Sequence, residues 1–264
     1  MPTVRVNGID CYYERSGTGP PLLFLNGSGA TLAASELLIQ PFAASFDVVA
    51  HDQRGIGRTE IPPGPYTMAD YAADAAALLD AVGWETARVV GISFGGMVAQ
   101  ELAVTWPERI ERLALLCTSP GGVGGASYPL HELESLSPEE QQARGAELLD
   151  TRFTPAWLDD HPNDRALVDM IAKRQVAVLG DEAKRGVAEQ MAARSHHDVC
   201  DRLGRITCPT LVASGRFDGI APVANGEAIT MRVSGAEQRV YKGGHLFIAQ
   251  DPAAYPDVMG FLAG

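Results

Sequence analysis

A chain of 264 residues, 46% hydrophobic and 20% charged, is long enough to bury a sizeable core and has neither the composition of a disordered protein nor that of a fibrous one. Its formal net charge of −12 leaves no basic surface for a phosphate backbone or an anionic membrane, so nucleic acid and lipid are excluded as expected partners. The four cysteines, Cys11, Cys117, Cys200 and Cys208, show no Cys-x-x-Cys spacing and read as reduced thiols rather than zinc ligands.

The N-terminal Met1-Pro2-Thr3-Val4-Arg5-Val6 lacks a charged n-region followed by an apolar run, and no apolar stretch approaches the roughly 18 residues of a membrane span, so a cytoplasmic protein is expected. From there, β-rich runs alternate with helical patterns. Strands are predicted over 4–6, 11–14, 22–25, 47–51, 88–92, 110–117, 210–215 and 238–241. Four of them are near-continuous apolar runs, Leu22-Leu23-Phe24-Leu25, Val48-Val49-Ala50, Arg88-Val89-Val90 and Leu211-Val212-Ala213, as expected of strands buried on both faces. Helices are predicted over 32–44, 67–82, 94–106 and 222–232, with Trp106-Pro107 ending the third. In the helix from Thr67, Met68, Tyr71, Ala75, Leu78, Leu79 and Val82 recur near 3.6 residues, so one face should pack on a sheet.

From 121 to about 204 the strand pattern stops. Ser137-Pro138-Glu139-Glu140 there supplies an N-cap, a proline at the first helical position and a capping-box glutamate. An all-helical stretch between two predicted strands reads as an insertion. The expected organisation is an α/β core over 1–120 and 205–264, with a mostly parallel central sheet flanked by helices, and an inserted helical lid over 121–204. Gly121-Gly122-Val123-Gly124-Gly125 leads into that lid as a hinge or a plain flexible connection. Phe153, Trp157, Met170 and Met191 are its bulky apolar residues, and such residues usually pack on the domain rather than line a pocket.

The most specific motif is Gly91-Ile92-Ser93-Phe94-Gly95-Gly96, a Gly-x-Ser-x-Gly between the strand 88–92 and the helix 94–106. This is the setting of a nucleophile elbow, a sharp turn that presents a serine oxygen at the sheet edge above a helix N-terminus. No Gly-Lys-Ser/Thr follows, and Gly27-Ser28-Gly29 lacks the third glycine of a dinucleotide fingerprint, so neither phosphate-loop reading applies. A serine hydroxyl needs a base, and the base an orienting acid. Where an elbow of this kind is used, the chain order is serine, acid, histidine. Of six histidines only His245, in Lys242-Gly243-Gly244-His245, follows the strand 210–215, and Asp218 lies on the loop just past that strand. The other loop that can carry such an acid reads Thr118-Ser119-Pro120 and offers no carboxylate. Ser93, His245 and Asp218 are therefore the candidate nucleophile, base and acid; His51 and His196-His197 read as structural.

The stretches 22–29, Asp52-Gln53-Arg54-Gly55-Ile56-Gly57, 91–96, 215–218 and 243–245 together resemble the α/β-hydrolase superfamily, over nearly the whole chain. Among its members the chain is similar to small bacterial esterases, enol-lactonases and cofactor-free haloperoxidase-type hydrolases. The resemblance implies an oxyanion hole built from the N–H groups of Ser28 and Phe94, on the loop Asn26-Gly27-Ser28 and at the elbow. Asn26-Gly27 stands where members usually carry His-Gly, which leaves open whether the Asn26 amide orders the loop or enters the pocket. Asp52 and Arg54 read as turn-stabilising. A serine at the elbow, rather than aspartate, excludes epoxide hydrolase and haloalkane dehalogenase chemistry. The implied activity is hydrolysis of a carboxylic ester or lactone of a small molecule through an acyl-enzyme, with no metal or organic cofactor. Carbon–carbon hydrolysis, perhydrolysis by the same residues, or a ligand receptor on the same fold are the alternatives.

Overall fold

The computed structural model describes residues 3–175 and 180–264. Eight strands, β1 (Thr3–Val6), β2 (Ile9–Ser16), β3 (Pro21–Leu25), β4 (Asp47–His51), β5 (Ala87–Ile92), β6 (Ile110–Leu116), β7 (Thr210–Gly215) and β8 (Glu237–Tyr241), form one sheet in the order β1-β2-β4-β3-β5-β6-β7-β8. The β1–β2 and β2–β4 pairs are antiparallel and all the others parallel. Every predicted strand is present, within a few residues at its ends.

The apolar runs are explained by two cores, one on each face of the sheet. In β3 the two-residue period sends Leu23 and Leu25 to one core and Leu22 and Phe24 to the other; Val89 and Val90 of β5 divide in the same way. The first core is closed by α2 (Met68–Ala81), α3 (Phe94–Thr105) and α8 (Val223–Thr230), the helix predicted over 222–232; within it Tyr71 and Phe94 meet edge to face at 5.0 Å. Thr67 and Asp70 form a reciprocal capping box that starts α2. The second core is covered by α1 (Leu32–Ile39) and by two helices the periodicity did not reveal, α9 (Phe247–Gln250) and α10 (Ala254–Ala263). Ala254, Val258 and Leu262 give α10 its buried stripe at a spacing of four, but Pro252, Pro256 and Gly260 obscure the pattern. The helix predicted over 32–44 ends as α-helix at Ile39, and Pro41 carries the chain on as a 3₁₀ turn.

Between β6 and β7 lie α4 (Pro138–Leu149), α5 (Pro155–Asp160), α6 (Pro162–Gln175) and α7 (Asp181–Ser195), with the capping box of Ser137 and Glu140 in place at the start of α4. Ala146, Phe153, Leu158 and Val168 make a small separate cluster with Trp157 against it, so Phe153 and Trp157 pack within the segment; Met191 is half-buried, and the side chain of Met170 lies outside the described residues. The glycine loop at 121–125 is not a free hinge. Val199 N–H donates to Pro120 O at 3.0 Å, Gly121 bridges Asp198, and a side chain at Gly121 would meet the His197 carbonyl at 1.9 Å.

Two parts of this helical segment reach the C-terminal edge of the sheet. The stretch after α4 is stitched between two loops: Gly219 N–H donates to Leu148 O (3.0 Å), Thr151 N–H to Phe217 O (2.8 Å) and His245 N–H to Leu149 O (2.6 Å). Helix α7 lies along the edge itself. Gly186 abuts Gly55, past β4; Gln190 accepts the N–H of Gly29, past β3, at 2.6 Å; and His197, just beyond the helix, abuts Gly121, past β6.

Candidate active site

Ser93 follows β5 directly and caps α3, at φ 54° and ψ −114°, a conformation an L-residue holds only when its surroundings enforce it. Its N–H donates to Leu116 O at 2.9 Å, and its carbonyl accepts from Gly96 and Met97 N–H. The flanking residues must be glycine for contact reasons. A Cβ at Gly95 would lie 2.0 Å from Leu25 O, and one at Gly91 would lie 2.4 Å from Gly95 O. Strand β3 and the turn therefore approach more closely than any side chain permits.

The three residues singled out in the sequence are brought together. His245 Nε2 lies 2.9 Å from Ser93 Oγ, and His245 Nδ1 lies 2.8 Å from Asp218 Oδ2. Asp218 and His245 are buried, whereas Ser93 is half-buried. Asp218 Oδ1 accepts the N–H groups of Ile220 (2.8 Å) and Ala221 (2.9 Å), so the carboxylate is held on both oxygens. With a carboxylate on Nδ1, the neutral imidazole carries its proton there and turns the lone pair of Nε2 to the serine hydroxyl. A hydroxyl so placed can give up its proton as it attacks an electrophilic carbon.

The loop after β3 borders the serine. A Cβ on Gly27 would stand 3.7 Å from Ser93 Cβ, so the chain passes in van der Waals contact with the nucleophile position. Asn26 is buried; its carbonyl accepts from Gln53 Nε2 at 2.6 Å, while its Nδ2 and Ser28 Oγ are buried without a hydrogen-bond partner among the described residues. The loop is thus ordered through the Asn26 backbone. Phe94 is fully buried at the first turn of α3, where amide N–H groups lack partners within the helix.

Asp52 and Arg54 stabilise the turn after β4, as their motif suggested. Asp52 accepts Leu32 N–H at 2.7 Å and Arg58 N–H at 2.9 Å, and Arg54 makes a buried two-pronged ion pair with Asp74 at 2.6 and 2.8 Å. His51 and His197 are buried, and desolvation pulls both down to about 4, so they are neutral structural groups. All four cysteines are free and buried.

The sequence offered Cys117 only as one of four reduced thiols, with nothing to place it at the site. Cys117 follows β6 at φ 43°, with its sulfur within 4.8 Å of the ligating atoms of Asp218 and His245; burial pushes its thiol well above the usual range. Gln190 of α7 meets the loop past β3 at Gly29, and Arg194, one turn on, is buried as well; only an amphipathic reading of that helix with polar residues inward could have found them.

A mostly parallel sheet with a serine on the strand-to-helix turn at its centre, hydrogen-bonded to a histidine and an aspartate from later loops, is the architecture of a hydrolase. A family model described as the alpha/beta hydrolase fold matches residues 20–252, and the chain belongs to that family. It is 29% identical over 242 residues to 3-oxoadipate enol-lactonase 2 of Acinetobacter baylyi, covering 89% of this chain and 85% of that one. It is likewise 29% identical over 245 residues to a poly(3-hydroxyalkanoate) depolymerase of Ectopseudomonas oleovorans, covering 92% and 84%. Among solved structures, a hydrolase from Pseudomonas aeruginosa PA01 superposes with a TM-score of 0.81 at 30% identity, covering 100% of this chain and 98% of that one. No helix among the described residues is long and apolar enough to cross a membrane.

Proposed function

We propose that this hydrolase cleaves a carboxylic ester or lactone through an acyl-enzyme formed on Ser93. The observation that carries the reading is the pair of hydrogen bonds, Ser93 Oγ to His245 Nε2 at 2.9 Å and His245 Nδ1 to Asp218 Oδ2 at 2.8 Å, at a strained turn on the C-terminal edge of the sheet. Ser93 Oγ attacks the acyl carbon while His245 takes its proton; Asp218 holds the imidazole in the productive tautomer and stabilises the imidazolium. The N–H groups of Phe94 and Ser28 receive the oxyanion, and His245 then protonates the departing alkoxide. In a lactone that alkoxide stays tethered to the acyl group. Water, deprotonated by His245, attacks the acyl-enzyme and restores Ser93. Segment 121–204 serves as the lid that shapes the substrate pocket. The enol-lactonase similarity supports an acyl carbon as the target.

The test is direct. Ser93→Ala is expected to lower turnover of a 4-nitrophenyl ester by at least about 10⁴-fold with the fold intact. A serine-directed phosphonate should add its mass to the peptide containing Ser93. Retained hydrolysis by Ser93→Ala, or an adduct elsewhere, overturns the reading.

A further inference from the structure

The path of α7 fixes what stands above Ser93. The helix meets the loop past β4 at Gly186 and the loop past β3 at Gln190, and the loop past β6 is reached at His197. Strand order places β5, and with it Ser93, between β3 and β6. A helix advances about 5.4 Å per turn and neighbouring strands lie about 4.8 Å apart, so the helix crosses the edge at roughly one turn per strand. One turn beyond Gln190, and three residues before His197, is Arg194. Its place is over the end of β5.

Arg194 is only 6% exposed. Its Nη2 donates to Tyr128 O at 3.0 Å, its Nε has no partner, and no carboxylate among the described residues pairs with it. The contrast with Arg54, equally buried but gripped by Asp74, is sharp. Tyr128 N–H donates to Ile220 O at 2.8 Å, and Ile220 N–H to Asp218 Oδ1, so the guanidinium is anchored from the side of the acid loop. Burial lowers Arg194 to about 10, which leaves it charged at neutral pH. One turn back on the same face, Gln190 is fully buried; its Oε1 accepts the N–H of Gly29, and its side chain also lies beside the Tyr71 hydroxyl. A buried guanidinium whose Nε has no partner is complemented by an anion, and no carboxylate among the described residues supplies one.

We propose that Arg194 binds a free carboxylate on the acyl chain of the substrate, so that the substrate is an ester or lactone whose acyl part carries a second carboxylate. The inference rests on the reading of Ser93 as nucleophile. A cation sealed under α7 suits the acyl part, which remains on Ser93 while the alcohol departs. The net charge of −12 repels anions, so a preference for an anionic substrate has to come from a local group.

The experiment compares mono-4-nitrophenyl glutarate with its neutral methyl ester. The wild type is expected to favour the hemiester in kcat/KM, and Arg194→Met to reduce the ratio of hemiester to neutral ester by about 50-fold, mostly through KM, with Arg194→Lys recovering part of it. Glutarate should raise the wild-type melting temperature by about 2–4 °C where glutaramate does not, and this comparison decides the matter if Arg194→Met fails to fold. Neutral-ester hydrolysis that survives Ser93→Ala removes the functional reading itself. Hydrolysis that requires Ser93 but shows no hemiester preference, an unchanged ratio in Arg194→Met, or no selective stabilisation by glutarate overturns the carboxylate inference alone.

Discussion

Asp218 is committed on both oxygens, and this determines what an amide in its place would do. Oδ1 faces two backbone N–H donors, so an asparagine would turn its carbonyl to Ile220 and Ala221 and its NH₂ to His245 Nδ1. The imidazole would then have to accept at Nδ1 and carry its proton on Nε2, pointing it at the serine. Asp218→Asn is therefore expected to lower kcat for an aryl ester by about 10³–10⁴-fold with near-normal stability, read from steady-state kinetics and a denaturant titration. Both Asp218 and His245 were legible in the sequence because chain order and loop position narrow the choice, and Ser93 because glycines are compelled on either side of it. Cys117, Gln190 and Arg194 were not. The bond between Gly29 and Gln190 joins residues 161 apart, and a contact of that span has no local periodicity to announce it.

At the scale of elements, the strands were readable because burial on both faces erases polar residues, and α2 because its stripe is regular. α10 was hidden by Pro256 and Gly260 within it and Pro252 just before it, and the placement of α7 against the sheet edge has no signature beyond a glycine. That glycine carries a prediction. A methyl group at Gly186 would lie 2.0 Å from Gly55 O, so Gly186→Ala must lift α7 from the loop after β4. The expected result is a loss of about 1–3 kcal/mol in denaturant unfolding together with a raised KM, since the same helix carries Gln190 and Arg194 over the site. A variant with wild-type stability and KM would show that α7 tolerates displacement.

For the whole molecule, the two buried histidines set an acid limit. His51 and His197 sit at about 4 when folded, against an ordinary value near 6.5, because burial disfavours the imidazolium; Glu101 and Asp198 partly oppose this for His197, and Arg202 adds to it. The unfolded chain takes up these protons first. Their contribution is therefore full above about pH 6.5 and is lost as pH falls toward 4, on the order of 3 kcal/mol for each. Burial raises Asp52 and Asp74 when folded, which acts in the opposite direction and offsets part of the loss. The melting temperature should drop steeply between pH 6.5 and about 4.5, and His197→Gln should flatten the slope; an equal slope in that variant would assign the acid sensitivity elsewhere.

The stitching of Leu148, Leu149 and Thr151 to the loops that carry Asp218 and His245 also bears on how such chains can be recombined. The helical segment is not an accessory that can be exchanged at its two ends, because its interior braces the backbone of both residues. A chimera that imports another protein's helices would have to bring compatible partners for Gly219, Phe217 and His245, or inherit a well-formed pocket over a disordered reaction centre. Diversification within this architecture is thereby steered toward replacing side chains on the existing helices.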